Sequence, residues 1–452
     1  MDIIIAGGGK VGQTLAQQLV AEGHNLTFID ENPRVLDTLV ERFDAMAAAG
    51  NCASAEVLRQ AQIQETELLI ATTNADELNL LCCMTAHGLN KNIHTIARIR
   101  SPQYAEQIMT MRDIFPLSMT VNPEKQAALE MERLLKYPGF LRRDTFANSG
   151  SEIVELRIDE NSKLRDVALS GLSSVVKCRV LVCAVLRAGE AVAPSGNFVL
   201  RAGDRIFVTA PTADLTVLLK NLGIITRRVR RVLLCGGGRV SYYLASLLSR
   251  DGISVQLLDK DYDRCVELAN LLPEVSVVHG DCSNQATLDS QGIGECDAVV
   301  CGTGLDETNM IIALYANKRG VPQVITKLSR GVNTSIADTL NLGSVICPKE
   351  LCCNEIVRYV RAMENQTGAA VSVHAIADGQ AEAVEFLVDG STKNCGVPLK
   401  NLKLKNNVLI AGITHGAKTT LPGGDSVFQE GDTIVVVTSG RGVLKNVNDI
   451  FA

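Results

Sequence analysis

The chain has 452 residues, with 44 Lys+Arg against 50 Asp+Glu, a net charge of −6 and 46% apolar residues. At ~150 residues per domain this length implies about three domains. The acidic balance, the absence of Trp and an aromatic content of 4% argue against a protein that wraps nucleic acid or stacks its bases.

Strand-like apolar runs alternate with helical patterns from the N-terminus. Asp2–Ala6 reads as a strand, followed by a helix from Val11, a strand Asn25–Asp30, a helix from Pro33, a strand Ala45–Ala49 and a helix near Ala53–Ala61. Leu68–Thr72, Ile93–Ile99 and Ser118–Val121 read as further buried strands, continuously apolar as a parallel sheet with helices on both faces requires. This pattern is a doubly wound α/β unit. Pro123 to Lys136 then forms a helix lined by Ala127, Met131, Leu134 and Leu135 and stopped by Tyr137-Pro138-Gly139. That apolar face either packs on its own domain or makes a subunit contact. From Ser151 to Gly223 the texture changes to alternating strands: Ile153–Ile158, Val180–Leu186 with a hairpin turn at Gly189-Glu190, Arg205–Thr209, and a closing helix from Ala213. This reads as a β-rich α+β module. The basic run Thr226-Arg227-Arg228-Val229-Arg230-Arg231 reads as a solvated connector rather than a nucleic-acid patch.

The pattern then begins again. Ile4-Ile5-Ala6-Gly7-Gly8-Gly9-Lys10-Val11 recurs as Leu233-Leu234-Cys235-Gly236-Gly237-Gly238-Arg239-Val240, and Gly7 to Gly236 is an offset of 229. At nearly the same offset, Gly50-Asn51-Cys52 answers Gly280-Asp281-Cys282 and Asp76-Glu77-Leu78-Asn79 answers Asp306-Glu307-Thr308-Asn309. Cys353, Ile356, Val357 and Val360 repeat the helix face after the first unit, and Ala381–Ile450 repeats the β-rich module. The chain is therefore a duplication, and its better domain count is four: 1–140, 141–225, 226–368 and 369–452.

The glycine motifs carry the chemistry. Gly7-x-Gly9-x-x-Gly12 follows a strand and opens a helix, with Asp30 ending the next strand. The first glycine permits the turn, the second lets backbone approach a pyrophosphate, and the third brings helix and strand together. The helix N-terminus offers free N–H groups to phosphate. Asp30 is expected to accept ribose hydroxyls and to repel a 2′-phosphate, favouring NAD(H) or an adenine nucleotide. In the second copy, Gly236-x-Gly238-x-x-Ser241 with Asp259 puts serine at the third glycine, so the tightest helix–strand approach is expected to be lost. Asn51-Cys52 and Asp281-Cys282 should border the adenine, and only Asp281 brings a charge there. Thr72, Thr73 and Arg98, mirrored by Thr303 and Lys327, fall at carboxyl ends of strands, where ligands lie in such sheets. Lys10 and Arg239 either stand beside phosphate or reach across an interface. Gly8, Val11 and Val240 complete the candidate loops.

The 14 cysteines contain no Cys-x-x-Cys pair and read as reduced, buried apolar side chains, and no histidine pair or carboxylate constellation suggests a metal or catalytic site. No apolar run approaches the ~20 residues of a membrane span. The N-terminus has no signal-peptide pattern, so a cytoplasmic protein is expected.

These motifs, with Ile96-Ala97-Arg98-Ile99-Arg100-Ser101-Pro102 and the turn Glu430-Gly431-Asp432, resemble the family of Trk-type potassium-uptake regulators, over essentially the whole length. The resemblance implies two tandem Rossmann-like N-domains of the regulator-of-potassium-conductance (RCK) type, each followed by a small β-rich C-domain. It further implies binding of NAD(H) and ATP or ADP, assembly as a homotetrameric ring, and gating of a TrkH-like membrane potassium-translocating subunit from the cytoplasmic face, with no enzymatic activity. By motif position it implies that Gly7, Gly9, Gly12, Asp30, Thr72 and Arg98 serve the first site, and Gly236, Gly238, Asp259, Asp281 and Thr303 the second. Two other readings of the residues stay open. NADH turnover with a carbonyl substrate would mark an NAD-dependent oxidoreductase; failure to co-purify with a membrane potassium subunit would mark a nucleotide-binding scaffold.

Overall fold

The computed structural model describes residues 1–452 apart from 111–116, 137–139, 147–151, 223–228, 330–339, 341, 364–369, 406, 417, 440–443 and 445. The expected helix stop at Tyr137-Pro138-Gly139 and the first three residues of the basic connector lie outside the described residues. Arg231, at the connector's end, opens a strand.

The apolar runs of the first unit form β1 (Asp2–Ala6), β2 (Asn25–Asp30), β3 (Met46–Ala49), β4 (Leu68–Ala71), β5 (His94–Arg98) and β6 (Met119–Val121). They make one parallel sheet in the order β3-β2-β1-β4-β5-β6. Ile3, Ile4, Ile5 and Leu68 to Ala71 are buried because crossover helices cover both faces. Those helices are α1 (Lys10–Ala21), α2 (Pro33–Phe43), α3 (Ala55–Gln60), α4 (Asp76–Leu89) and α5 (Pro102–Thr110), and α6 (Pro123–Lys136) leaves the sheet. The strand order reverses between β1 and β4, the switch point at which doubly wound sheets open a crevice.

Five antiparallel strands follow: β7 (Arg142–Thr145), β8 (Glu152–Arg157), β9 (Leu181–Arg187), β10 (Glu190–Val192) and β11 (Arg205–Ala210), ordered β10-β9-β11-β8-β7. Helices α7 (Leu172–Val176) and α8 (Thr212–Leu222) pack against them. The β9–β10 hairpin turns at Ala188-Gly189, one residue earlier than expected, because these two residues take φ 52° and 83°, the left-handed pair a two-residue hairpin needs. The edge strand β7 carries Arg-Arg-Asp-Thr and has no apolar alternation to betray it.

The second copy repeats both layers. Its strands β12 (Arg231–Cys235), β13 (Ser254–Asp259), β14 (Ser276–His279), β15 (Ala298–Cys301), β16 (Gln323–Lys327) and β17 (Ser344–Ile346) are ordered β14-β13-β12-β15-β16-β17. Its helices are α9 (Arg239–Arg250), α10 (Tyr262–Leu271), α11 (Gln285–Ser290) and α12 (Asp306–Lys318), with a long helix Pro348–Met363 after the sheet. A second antiparallel sheet contains β18 (Ala370–Ile376), β19 (Ala381–Leu387), β20 (Val408–His415), β21 (Lys418–Thr420) and β22 (Thr433–Ser439).

The compact units do not coincide with the halves of the sequence. One comprises Met1–Ala127 with Cys347–Val360, the other Ala128–Ile346 with Arg361–Ala452. Within the first unit, the long helix of the second copy lies on the first parallel sheet's layer: Cys353 Sγ donates to Val11 O (3.7 Å), Gln18 Nε2 donates to Asn354 Oδ1 (3.0 Å) and Tyr359 Oη meets His94 Nδ1 (3.0 Å). Its buried face is Cys352, Cys353, Ile356, Val357 and Val360. Within the second unit the later turns of α6 serve the second copy, where Gln323 Nε2 donates to Leu134 O (2.8 Å) and Lys136 Nζ lies 2.9 Å from Asp251 Oδ2. The two copies thus exchange helices inside one chain, an arrangement distinct from both expectations for that face. In the same unit the two antiparallel sheets share an apolar core through Ile153, Phe207, Ala383 and Val435.

Candidate functional site

The first cleft is built from the ends of β1, β2 and β4. Gly7 has φ +103°, and a Cβ there would stand 3.0 Å from Thr73 N, so only glycine turns the chain this sharply beside β4. Its N–H donates to Ile29 O (2.8 Å), continuing the ladder with β2. Gly12 is the packing glycine: a Cβ on it would come within 2.2 Å of Gly7 O. Around Gly9 the space is open, with nothing within 4 Å of its ideal Cβ. The first intrahelical bond of α1 is Gln13 N–H to Gly9 O (2.9 Å), so the preceding amides point out of the helix end.

Asp30 ties this loop to the second strand. Its Oδ2 accepts Gly8 N–H (2.8 Å) and its Oδ1 accepts Asn32 N–H (2.9 Å), which leaves each oxygen with lone-pair capacity for a hydroxyl. Gln13 Nε2 donates to Gly8 O (2.9 Å) and holds the loop from the other side. The resulting cleft has a volume of about 470 Å³ and is lined by Gly7, Gly8, Gly9, Asp30, Cys52, Thr72 and Thr73 among others. Of the remaining first-copy candidates, Lys10, Val11, Gly12, Asn51 and Arg98 lie outside its lining. Lys10 is exposed and Gly12 lies in the packing layer. Asn51 Oδ1 accepts Ala53 N–H (2.9 Å), which fixes the turn. Arg98 faces Glu124, with Nη2 3.6 Å from Oε1, and burial lowers the pKa of its guanidinium while Glu124 opposes the shift.

The second copy reproduces the scaffold with different fastenings. Gly236 has φ +100° beside Thr303, Asp259 Oδ2 accepts Gly237 N–H (2.5 Å) and Oδ1 accepts Asp261 N–H (2.8 Å). Arg264 Nε, donating to Gly237 O (2.8 Å), takes the place of Gln13. Gly238 is open like Gly9, and Arg239 opens α9 as Lys10 opens α1. Val240 is buried under the loop. Asp281 Oδ1 accepts Ser283 N–H (2.8 Å), and this bond, with the Ser283 hydroxyl, holds the Asp281 carboxyl below its usual range. Lys327 Nζ donates to Gly302 O (3.0 Å) at the end of β15. Ser241, at the place of Gly12, is buried, and its hydroxyl oxygen lies 3.1 Å from the point a Cβ on Gly302 would take, so glycine at 302 leaves room for it.

Asn79 and Asn309 are the residues whose role sequence reasoning missed. Asn79 is fully buried; its Oδ1 accepts Thr73 N–H (2.9 Å) and the Thr73 hydroxyl (2.7 Å), and its Nδ2 donates to Arg98 O (2.9 Å). Asn309 makes the same bonds to Thr303 and to Lys327 O. Each asparagine pins two strand ends at the cleft rim. The signal was the repeated Asp-Glu-x-Asn run, which matched across the halves without an assigned task.

A parallel sheet of this order, with a glycine loop after its first strand and an acid after its second, defines a dinucleotide-type nucleotide-binding unit, here present twice. The family model described as the TrkA-N domain matches residues 3–114 and 232–348, and that of the TrkA-C domain matches 153–223 and 383–448. The Trk system potassium uptake protein TrkA of Vibrio alginolyticus is 28% identical over 100% of this chain and 98% of its own length. A TrkA homolog of Archaeoglobus fulgidus is 30% identical over 100% of both chains. The chain belongs to the TrkA family. Among solved structures, the GsuK RCK domain superimposes with a TM-score of 0.61 at 16% identity, covering 97% of this chain and 92% of that one. The GsuK channel bound to NAD gives 0.60 at 17% identity, covering 97% and 76%. Both share this fold. Among the described residues no helix is long and apolar enough to cross a membrane, and no group of three or more His, Cys, Asp or Glu residues is placed to hold a metal ion.

Proposed function

We propose that this chain is the nucleotide-responsive regulatory subunit of a Trk-type potassium uptake system. Each glycine loop takes the pyrophosphate or phosphates of NAD(H), ADP or ATP, and Asp30 and Asp259 take the ribose hydroxyls. The observation that carries this reading is the pairing of Asp30 Oδ2 with Gly8 N–H beside the open Gly9 at the N-terminus of α1. That arrangement offers donors to phosphate and acceptors to ribose in one cleft of about 470 Å³, within the ~300–1,000 Å³ of small-molecule pockets. The bound nucleotide itself supplies no reaction here. Its charge and size bias the protein between conformations.

The subunit acts as a homotetramer at the cytoplasmic membrane face, docked on a TrkH-like potassium-translocating partner, with the four domains divided near 140, 225 and 368. Gating follows from a difference in nucleotide affinity between two ring conformations; a coupling of about 1–3 kcal/mol changes that equilibrium about 5–150-fold. The test is titration of NADH, ADP and ATP into wild type, Asp30→Ala, Asp30→Asn and Asp259→Ala. Loss in the alanine variants with partial retention in Asp30→Asn is expected, because asparagine keeps an acceptor for Gly8 N–H. Unchanged binding in all of them overturns the site. Identical potassium flux through the reconstituted complex with ATP and with ADP overturns discrimination between these nucleotides as the gating signal.

A further inference from the structure

The two copies share one frame and differ where that frame meets the ribose. In the first copy Glu31, next after the strand-ending acid, and Val35, in the first turn of α2, both line the cleft. Val35 fills the space under the loop, its Cγ1 2.7 Å from the point a Cβ on Gly8 would take. At the repeat offset these two positions become Lys260 and Arg264. The surroundings correspond: the side chains of Asn32 and Asp261 cap α2 and α10, and Leu39 and Leu268 lie 2.6 and 2.7 Å from the Cβ positions of Gly8 and Gly237. Residue 264 departs from the pattern. The atoms nearest a Cβ on Gly237 belong to Leu268 and Asp259, and Arg264 extends instead to the loop carbonyl, Nε donating to Gly237 O (2.8 Å).

Arg264 Nη1 donates to Glu267 Oε2 (2.5 Å), and among the described residues Nη2 has no partner. Lys260 is exposed, and His279 Nε2, 3.1 Å from Lys260 O, ties its backbone to the end of β14. Asp30, Glu31, Asn32 and Val35, all lining the first cleft, hold two carboxylates and no cation; Asp259, Lys260, Asp261 and Arg264 hold two of each. Among the described residues no Lys or Arg lines the first cleft. A phosphate on the adenosine 2′-hydroxyl sits beside the acid that takes the ribose and brings up to about two negative charges. In the first cleft it would meet Asp30 and Glu31 with no counter-charge.

We propose that the second copy's site accepts a dinucleotide phosphorylated on the adenosine 2′-hydroxyl, NADP(H), as well as NAD(H), with Lys260 and Arg264 as its specificity-determining residues, while the first cleft excludes that phosphate. The proposal rests on the nucleotide reading above. Arg264 Nη2 and Lys260 Nζ donate charge-assisted hydrogen bonds to the phosphate oxygens. Asp259 keeps the 3′-hydroxyl. The bond from Arg264 Nε to Gly237 O fixes the guanidinium before the ligand arrives, so little side-chain freedom is lost on binding. The two sites of one chain then answer to different sets of nucleotides.

The test is calorimetric titration of NADH and NADPH into the full-length protein. Two NADH per chain are expected, against one NADPH that binds within about tenfold of NADH. Lys260→Glu with Arg264→Gln is expected to weaken NADPH about tenfold or more relative to NADH, since glutamine keeps a donor for Gly237 O. Lys260→Glu alone, at an exposed position, shifts the ratio the same way by less and serves if the double variant does not fold. A merely structural role for Arg264 would weaken both nucleotides alike. Glu31→Lys with Val35→Arg is expected to admit NADPH to the first cleft, giving two per chain. A ratio of NADPH to NADH affinity that these variants leave unchanged overturns the proposal. So does NADH binding with NADPH bound equally at both sites or at neither. If wild type binds neither nucleotide, the nucleotide reading falls and takes this proposal with it.

Discussion

The Ser241 hydroxyl oxygen lies 3.1 Å from the point where a Cβ on Gly302 would stand. In the first copy the corresponding positions are Gly12 and Thr72, so the glycine and the hydroxyl residue stand in the opposite order in the sequence. A Gly302→Thr substitution crowds Ser241 and is expected to destabilise the protein by about 1–3 kcal/mol, the usual cost of overpacking. Adding Ser241→Gly removes the crowded hydroxyl and restores the first copy's residue pair at these positions, and is expected to recover most of that loss in chemical denaturation. Equal stabilities of the single and double variants would contradict this crowding.

Gly12 offers a harsher test. Its Cβ position is 2.2 Å from a backbone oxygen, Gly7 O, which no rotamer change relieves. Gly12→Ala must therefore displace α1 from the glycine loop. Loss of nucleotide binding at the first cleft is expected together with a destabilisation of about 1–3 kcal/mol, measured by titration and thermal unfolding. Full affinity in this variant would show that the loop tolerates a looser helix.

The buried Asn79 pins the ends of β4 and β5, and Asn309 does the same for β15 and β16. Asn79→Leu leaves Thr73 N–H and Arg98 O without that partner, at about 1–3 kcal/mol for each group left unsatisfied. First-cleft affinity should fall while the second is retained; Asn309→Leu should give the mirror image. Isothermal titration with nucleotide distinguishes the two.

Glu355 supplies a pH signature. Desolvation raises its pKa, and among the described residues its buried Oε2 has no hydrogen-bond partner. The folded chain therefore holds this proton more tightly than the unfolded chain. The contribution is fully present below the unfolded carboxylate pKa and is lost as pH rises through the raised folded value. Glu355→Gln keeps the neutral shape, so its stability relative to wild type should grow as pH climbs through and above the carboxylate range. A pH-independent difference would place the effect elsewhere.

The glycine loops and Asp30 were legible in the sequence because the conformation they need is local: Gly7 must reach φ +103°, and the acid follows at the end of the next strand. Asn79 was not, since its partners Thr73 and Arg98 O become neighbours only when β4 and β5 lie side by side. Arg98 stands at a strand end as read, but its side chain is drawn to Glu124 on α6, a residue no local pattern links to it. The hidden strands β7 and β18 precede their predicted modules, and the polar run of β7 gives no period to read. Helix exchange between copies was invisible for a related reason. Ile356 and Val360 announce that a face is buried, not which copy buries it.

That exchange bears on how the duplicated gene can be cut. A chain ending after the first copy would keep its first sheet but lose Cys347–Val360, the segment that completes that unit. A chain beginning at the second copy would carry that segment with its host missing, and would lack Ala128–Lys136 as well. Separated fragments would be complementary, each holding what the other needs. The fused gene supplies both in fixed proportion, making the covalent link between the copies a guarantee of stoichiometry as much as a tether.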